Sequence, residues 1–134
     1  MFFVNCSNIC ATPVCRFIFN NCDDQVLGYF VYRNHGCCVA ENFDSNIGVR
    51  MLESFEKLSS LGIVHGDIRH ENILWDGTNI VLIDFEHSER MDNENAAKKN
   101  GNALALVCHH FGPQVSELLI RGNFVEARSV LSSL

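Results

Sequence analysis

The feature that most constrains the fold is a pair of short apolar runs joined by a turn in the second half of the chain. Asn72–Trp75 and Ile80–Phe85 are separated by the four residues Asp76-Gly77-Thr78-Asn79. An Asp-Gly pair between two apolar runs is a strong signal for a β-hairpin, because these residues accept the backbone of a tight turn. Residue 72 would begin one strand and residue 84 would end its antiparallel partner. The sequence therefore predicts that Asn72 and Asp84 lie at the same end of one hairpin.

A helix is predicted before this hairpin and short strands before the helix. Met51, Leu52, Phe55, Leu58 and Leu61 fall on one face at 3.6 residues per turn. We expect Ser45 or Asn46 to cap the start of this helix and Gly62 to follow its end in a left-handed conformation. Runs rich in β-branched and aromatic residues predict strands, and they cover Pro13–Asn20, Gln25–Tyr32 and Cys37–Phe43.

The chain after the hairpin is predicted to be helical. A polar stretch runs from Asn93 to Asn102, and helices are expected at about Ala96–His110, Pro113–Arg121 and Phe124–Leu134. Gly-Pro and Gly-Asn pairs supply the breaks between them. Strands followed by helices predict an α+β fold, and 134 residues suit one domain spanning 1–134.

Composition excludes several classes of protein. A hydrophobic content of 47% excludes a disordered tail. A formal charge of −6 argues against a nucleic-acid partner. No apolar run reaches the length of a membrane span, so no membrane partner is expected. Seven cysteines without disulfide-like spacing indicate free thiols in a reducing compartment, and we expect the cytoplasm.

Three oxygen-bearing side chains are expected to meet near the hairpin. Asp67 and Asn72 bracket a loop that leads into the first strand, and Asp84 ends the second strand. A carboxylate and an amide oxygen that converge on one point suit Mg²⁺. Asp67 would then be placed to accept a proton from a hydroxyl group. A zinc cluster of His65, Asp67, His70 and His87 is an alternative, although its spacing matches no strong zinc signature.

These residues carry a resemblance to a known family. His65-Gly66-Asp67-Ile68-Arg69-His70-Glu71-Asn72 resembles the catalytic loop H-x-D-x-x-x-x-N of the protein-kinase-like superfamily, and Asp84-Phe85-Glu86 resembles its metal-binding D-F-G. The Gly66 and Glu86 forms resemble the aminoglycoside-phosphotransferase-like, RIO-like and fungal kinase-like branches. The resemblance implies a truncated protein-kinase-like fold, with remnant N-lobe strands and hinge at 1–43 and a mainly helical C-lobe at 44–134.

The resemblance also implies an activity and a role for each site residue. It implies Mg²⁺-dependent transfer of the γ-phosphate of ATP to a hydroxyl of a protein or small molecule. Asp67 would be the catalytic aspartate, Arg69 would touch the transferred phosphate, and Asn72 and Asp84 would bind the metal. Glu41 would belong to the hinge segment 38–42, whose backbone receives adenine.

One departure from the family pattern leaves other functions open. Kinases hold the phosphates of ATP with a strand lysine and a glycine-rich loop, but the first lysine in this chain is Lys57. The chain is then either an enzyme, a catalytically inactive pseudokinase-type binding or regulatory module, or a fragment that lacks the ATP-binding N-lobe.

Overall fold

The computed structural model describes residues 37–134, so the strands predicted at 13–20 and 25–32 lie outside the described residues. Within 37–134 the fold is α+β, with five short strands and four α-helices. The strands are β1 (Cys37–Cys38), β2 (Ile63–Val64), β3 (Ile73–Trp75), β4 (Ile80–Leu82) and β5 (Glu89–Arg90). The helices are α1 (Ser45–Ser60), α2 (Asn93–Val107), α3 (Pro113–Ile120) and α4 (Phe124–Ser132).

The predicted hairpin is confirmed, and it forms the middle and one edge of a small antiparallel sheet. The strand order is β1-β3-β4, with Ile73 opposite Leu82 and Trp75 opposite Ile80. The turn is closed by the Asp76 side chain, whose Oδ1 accepts hydrogen bonds from the Thr78 and Asn79 N–H groups. The register places Asn72 and the residues after Leu82 at the same end of the hairpin.

Two predicted strands are shorter than expected. The strand predicted at 37–43 ends at Cys38, because a turn follows in which the Phe43 N–H donates to the Ala40 carbonyl at 3.3 Å. The second hairpin strand ends at Leu82 rather than Phe85, since Asp84 has a φ of 63° and leaves the extended conformation.

The predicted helix before the hairpin is α1, but its capping residue differs from the expectation. Asp44, and not Ser45 or Asn46, is the N-cap: its backbone is extended and its Oδ1 accepts a hydrogen bond from the Ile47 N–H at 2.9 Å. Gly62 follows the helix with a φ of 73°, as predicted. The predicted apolar face is buried except at Leu61, the exposed C-cap residue.

Helix α2 begins three residues earlier than predicted and ends earlier. Asp92 caps it by accepting a hydrogen bond from the Asn95 N–H at 2.9 Å. The first half of α2 buries Ala96, Asn100 and Gly101 rather than large apolar residues, so hydrophobic spacing does not show where it starts. After Val107 the chain forms a separate 3-10 turn at His109–Phe111.

The helices enclose one apolar core beneath the sheet. Helix α1 packs against α2 and α4, and α2 packs against α3. The breaks predicted between the last helices are confirmed at Gly112 and Gly122. None of the helices within residues 37–134 combines the length and the apolar character that a membrane crossing requires.

Candidate functional site

The loop between β2 and β3 places Asp67 against Asn72. A 3-10 turn at His70–Asn72 brings Asn72 back over the loop. Its Nδ2 donates to the Asp67 backbone carbonyl at 2.9 Å and to the Asp67 carboxylate at 3.1 Å. Asn72 is only 6% exposed, so these bonds fix its amide orientation. Two of the predicted site residues are therefore in direct contact.

The end of the hairpin brings Asp84 close to the same loop. The Ile83 N–H donates to the Asn72 carbonyl at 3.1 Å, so Asp84 is the first residue beyond the paired backbone. Among residues 37–134, Asp84 is the only residue other than glycine with a positive φ. Non-glycine residues in this conformation are concentrated at functional sites. The carboxylate of Asp84 has no hydrogen-bond or ion-pair partner within the described residues.

A buried histidine connects the two segments. The His65 Nε2 is 2.8 Å from the Ile83 carbonyl, and its Nδ1 accepts a hydrogen bond from the Asp67 N–H at 3.1 Å. The imidazole is therefore neutral, with its proton on Nε2. Burial lowers the pKa of His65, and the hydrogen bond to the Ile83 carbonyl and the nearby carboxylates of Asp67 and Asp84 offset only part of this effect.

The two remaining predicted site residues are Arg69, which pairs with Asp67, and Glu41, which lies away from the Asp67–Asn72 contact. Arg69 is an exposed neighbour of Asp67, and its Nη2 lies 3.3 Å from an Asp67 carboxylate oxygen. Glu41 is exposed in the turn after β1 and makes no ion pair within the described residues. In the hinge-like segment around it, the Val39 N–H is already used, because it donates to the Ile73 carbonyl at 3.0 Å.

The donor set fits a hard divalent cation such as Mg²⁺. The Asn72 Nδ2 is held by Asp67, and its Oδ1 accepts no hydrogen bond from the described residues. That oxygen and the carboxylate of Asp84 are the ligand types that Mg²⁺ prefers. In contrast, no three His, Cys, Asp or Glu side chains within residues 37–134 form a group that could hold a metal ion, which argues against the alternative zinc cluster.

The structure explains why residue 66 is glycine where many kinases have arginine. Gly66 has a φ of 91°, and a Cβ at this position would collide with the His87 backbone carbonyl. The segment after Asp84 therefore packs directly on the loop that carries Asp67. Any side chain at residue 66 would push these two segments apart.

Asn100 positions the start of the Asp67 loop, although the sequence pattern does not predict this role. Asn100 of α2 is fully buried: its Nδ2 donates to Ser59 Oγ and the Ile63 carbonyl, and its Oδ1 accepts from the His65 N–H at 3.1 Å. It therefore fixes the backbone where the Asp67 loop begins. In the sequence, a polar residue between apolar helix positions only weakly indicates a buried positioning residue, because polar residues also occupy the solvent-exposed face of a helix.

Comparison with known proteins agrees with this arrangement. Residues 40–128, which include α1, the Asp67 loop, the hairpin and most of the helical part, match the phosphotransferase enzyme family, APH. No curated protein matches the chain. The family match covers about two thirds of the chain and contains the whole candidate site. The chain therefore belongs to the phosphotransferase enzyme family.

Proposed function

We propose that the protein transfers the γ-phosphate of ATP to a hydroxyl group in a Mg²⁺-dependent reaction. The observation that carries the proposal is the pairing of Asn72 with the Asp67 carboxylate at 3.1 Å. At the end of the adjoining hairpin, the carboxylate of Asp84 has no hydrogen-bond or ion-pair partner among residues 37–134. A proton acceptor and two oxygen ligands of different type are thus held by one loop and one hairpin. The family assignment supports a phosphotransferase with a nucleotide and an acceptor.

Each residue has a proposed role in the reaction. Asn72 and Asp84 would hold Mg²⁺, which when bound neutralises charge on the ATP phosphates. Asp67 would accept the proton of the acceptor hydroxyl while the hydroxyl oxygen bonds to the γ-phosphorus. The bond between the γ-phosphorus and the β,γ-bridging oxygen of ATP would break, and ADP would leave. The Asp67 side chain is only about a quarter exposed, and its carboxylate is held by the Asn72 amide and the Arg69 guanidinium.

Arg69 and the hinge segment would serve the nucleotide. The guanidinium of Arg69, now beside Asp67, would contact the transferred phosphate through two N–H groups. We assign Glu41 to the nucleotide side through its backbone, within the segment 38–42. In this proposal residues 1–43 form the nucleotide-facing part of a single kinase-like domain, and residues 44–134 form its C-lobe.

A second candidate function, an inactive binding or regulatory module, is suggested by the lack of lysine in residues 1–56. Residues 1–56 contain no lysine that could hold the phosphates of ATP. Phosphoryl transfer depends on positioning and charge neutralisation, so this loss favours an inactive binding or regulatory module that keeps the same C-lobe.

A thermal unfolding experiment separates these functions. The full chain is heated with and without millimolar ATP and MgCl₂, and with each of them alone. An enzyme that binds Mg²⁺–ATP gains about 2.7 kcal/mol at one hundred times Kd, seen as a higher Tm. An unchanged Tm with both ligands together would remove the enzyme proposal for this chain.

Two substitutions then test the roles, with a third as control. Asp84→Asn keeps a residue that tolerates positive φ, so it should abolish only the metal-dependent part of the Tm gain. Asp67→Asn should keep binding but slow phosphate transfer by about 10²–10⁴-fold. Asp92→Asn removes an exposed carboxylate while keeping a good N-cap residue, and both readouts should stay unchanged. Full Mg²⁺–ATP stabilisation of Asp84→Asn would contradict the metal assignment.

A further inference from the structure

A cavity borders Asp67 on a side where neither proposed metal ligand forms part of the wall. It measures about 540 Å³, opens to solvent, and lies between the Asp67 loop, β5 and α2. Asp67 lines it, whereas Asn72 and Asp84 do not. The volume is typical of a small-molecule site. A small acceptor in the cavity would therefore lie next to Asp67.

The charged groups that line or border this cavity compensate one another. On the wall, Glu89 of β5 lies 3.0 Å from the Nζ of Lys99 of α2. Asp67 is matched in the same way by Arg69 at 3.3 Å. His87 is the other titratable side chain of the lining. Each lining carboxylate therefore has a cation within 3.3 Å, with Arg69 lying outside the lining and also 3.9 Å from Glu71. Within residues 37–134 the lining has two carboxylates and one lysine, so the wall has little net charge to attract a charged acceptor.

The uncharged part of the wall suits hydroxyl groups. Asn102 is exposed, lines the cavity and makes no side-chain hydrogen bond within the described residues, so its amide can both donate and accept. Asn100 also lines the cavity, but its amide is occupied by Ser59, Ile63 and His65. No Phe, Tyr or Trp of residues 37–134 lines it, so it offers no stacking surface for a flat aromatic acceptor.

We propose that the acceptor is an uncharged polyhydroxylated small molecule, such as a sugar or polyol, and that Lys99 sets this preference by neutralising Glu89. The inference rests on the proposed phosphotransferase function, because it assigns the acceptor of the same Asp67. An ammonium group on the acceptor would compete with Lys99 for Glu89. An acidic group would face both Asp67 and Glu89.

Binding of three matched sugars tests the charge preference without requiring turnover. Glucose, glucosamine and glucuronate differ in charge at similar size, and their binding to the full chain is followed by saturation-transfer NMR. Glucose should bind about fivefold more tightly than either charged sugar, the ratio expected from about 1 kcal/mol between exposed charges. Tighter binding of a charged sugar, or no binding of any sugar, would overturn the proposal.

Two substitutions on the cavity wall should move this preference in opposite directions. Lys99→Gln frees Glu89 and should improve glucosamine binding relative to glucose about fivefold. Glu89→Gln should improve glucuronate binding instead. Lys98→Gln is the matched control, since Lys98 is the adjacent residue of α2, pairs with Glu94 and does not line the cavity. Equal effects of Lys98→Gln and Lys99→Gln would contradict the role of Lys99.

The outcome is distinguishable from failure of the proposed function. If Mg²⁺–ATP raises the Tm but none of the sugars binds, the acceptor assignment is wrong and the phosphotransferase proposal stands. If the sugars bind with the expected preference but Mg²⁺–ATP leaves the Tm unchanged, the cavity assignment stands as a sugar-binding site and the enzyme proposal fails.

Discussion

The buried imidazole of His65 joins the two segments that carry the proposed catalytic and metal-binding carboxylates. Its Nε2–H is directed to the Ile83 carbonyl and its Nδ1 accepts from the Asp67 N–H. A second proton would have to sit on Nδ1, where it would face the Asp67 N–H donor. Burial and the hydrogen bond that Nδ1 accepts from the Asp67 N–H both disfavour the charged imidazole. Burial outweighs the Ile83 carbonyl and the nearby carboxylates, which raise the pKa, so the pKa of His65 is lowered.

This arrangement predicts a loss of stability in mild acid. The pKa of His65 in the folded protein lies below its ordinary value of 6.5, so the unfolded chain binds the proton more readily. The stabilising effect is complete above pH 6.5 and is lost as the pH falls from 6.5 through the folded pKa, by at most about 1.4 kcal/mol per pH unit. Urea unfolding between pH 7.5 and 5 measures this slope.

His65→Gln provides the comparison, because glutamine can donate and accept hydrogen bonds but does not titrate. Its slope should be shallower over the same range, whatever its absolute stability. The exposed Asp92 titrates separately: hydrogen bonds from Asn95 lower its pKa below 3.8, so its effect falls outside this window. Identical slopes for the two proteins would show that His65 is not the group responsible.

Among the secondary-structure elements, α2 and α3 approach so closely that one contact depends on glycine. A Cβ on Gly101 of α2 would collide with the Leu119 backbone carbonyl of α3. Leu119 is fully buried in the last turn of α3, so its backbone has little room to move away. Gly48 of α1 is a useful contrast, because its added Cβ would meet only side-chain atoms of Phe111 and Leu131 at 3.1–3.2 Å.

We therefore expect a glycine-to-alanine substitution to change the free energy of unfolding much more in α2 than in α1. Gly101→Ala should lower the free energy of unfolding by about 3 kcal/mol despite the better helix propensity of alanine. Gly48→Ala should change it by less than about 1 kcal/mol, since small ring movements offset the gain in propensity. Chemical denaturation of both variants measures the difference. Equal stabilities would show that α3 yields as easily as a side chain.

The sequence predicted some of these elements well and others poorly, for identifiable reasons. Helix α1 is recognised because large apolar residues repeat on one face. Strand β5 is missed because Glu89 and Arg90 are both exposed and form a strand only by pairing with β2. The start of α2 is missed because a small residue and a polar residue, Ala96 and Asn100, occupy its buried positions.

For the molecule as a whole, Cys108 reports on the integrity of the helical core. It is fully buried at the end of α2, and burial raises the pKa of its thiol to about 12. At pH 8 it should hold roughly a thousandfold less thiolate than an exposed cysteine. Cys37 and Cys38 are exposed at β1 and provide an internal comparison.

We expect iodoacetamide at pH 8 to modify Cys37 and Cys38 quickly and Cys108 only when the core unfolds. Peptide mass spectrometry after brief exposure resolves the three sites. Modification of Cys108 should rise with urea along the same curve as the loss of helical circular dichroism. Modification of Cys108 in native buffer at the rate of Cys37 would show that the core opens without global unfolding.

The sequence by itself determined the hairpin, the helix before it, and the order of Asp67, Asn72 and Asp84, because these depend on neighbours close in the chain. Only the tertiary structure decided that His65 is held neutral, that Asn100 anchors the Asp67 loop, and that Lys99 pairs with Glu89 on the wall of the cavity beside Asp67. These contacts join residues 10 to 35 positions apart. Hydrophobic periodicity describes which face of an element is buried, but it carries no information about which polar groups meet when the elements pack.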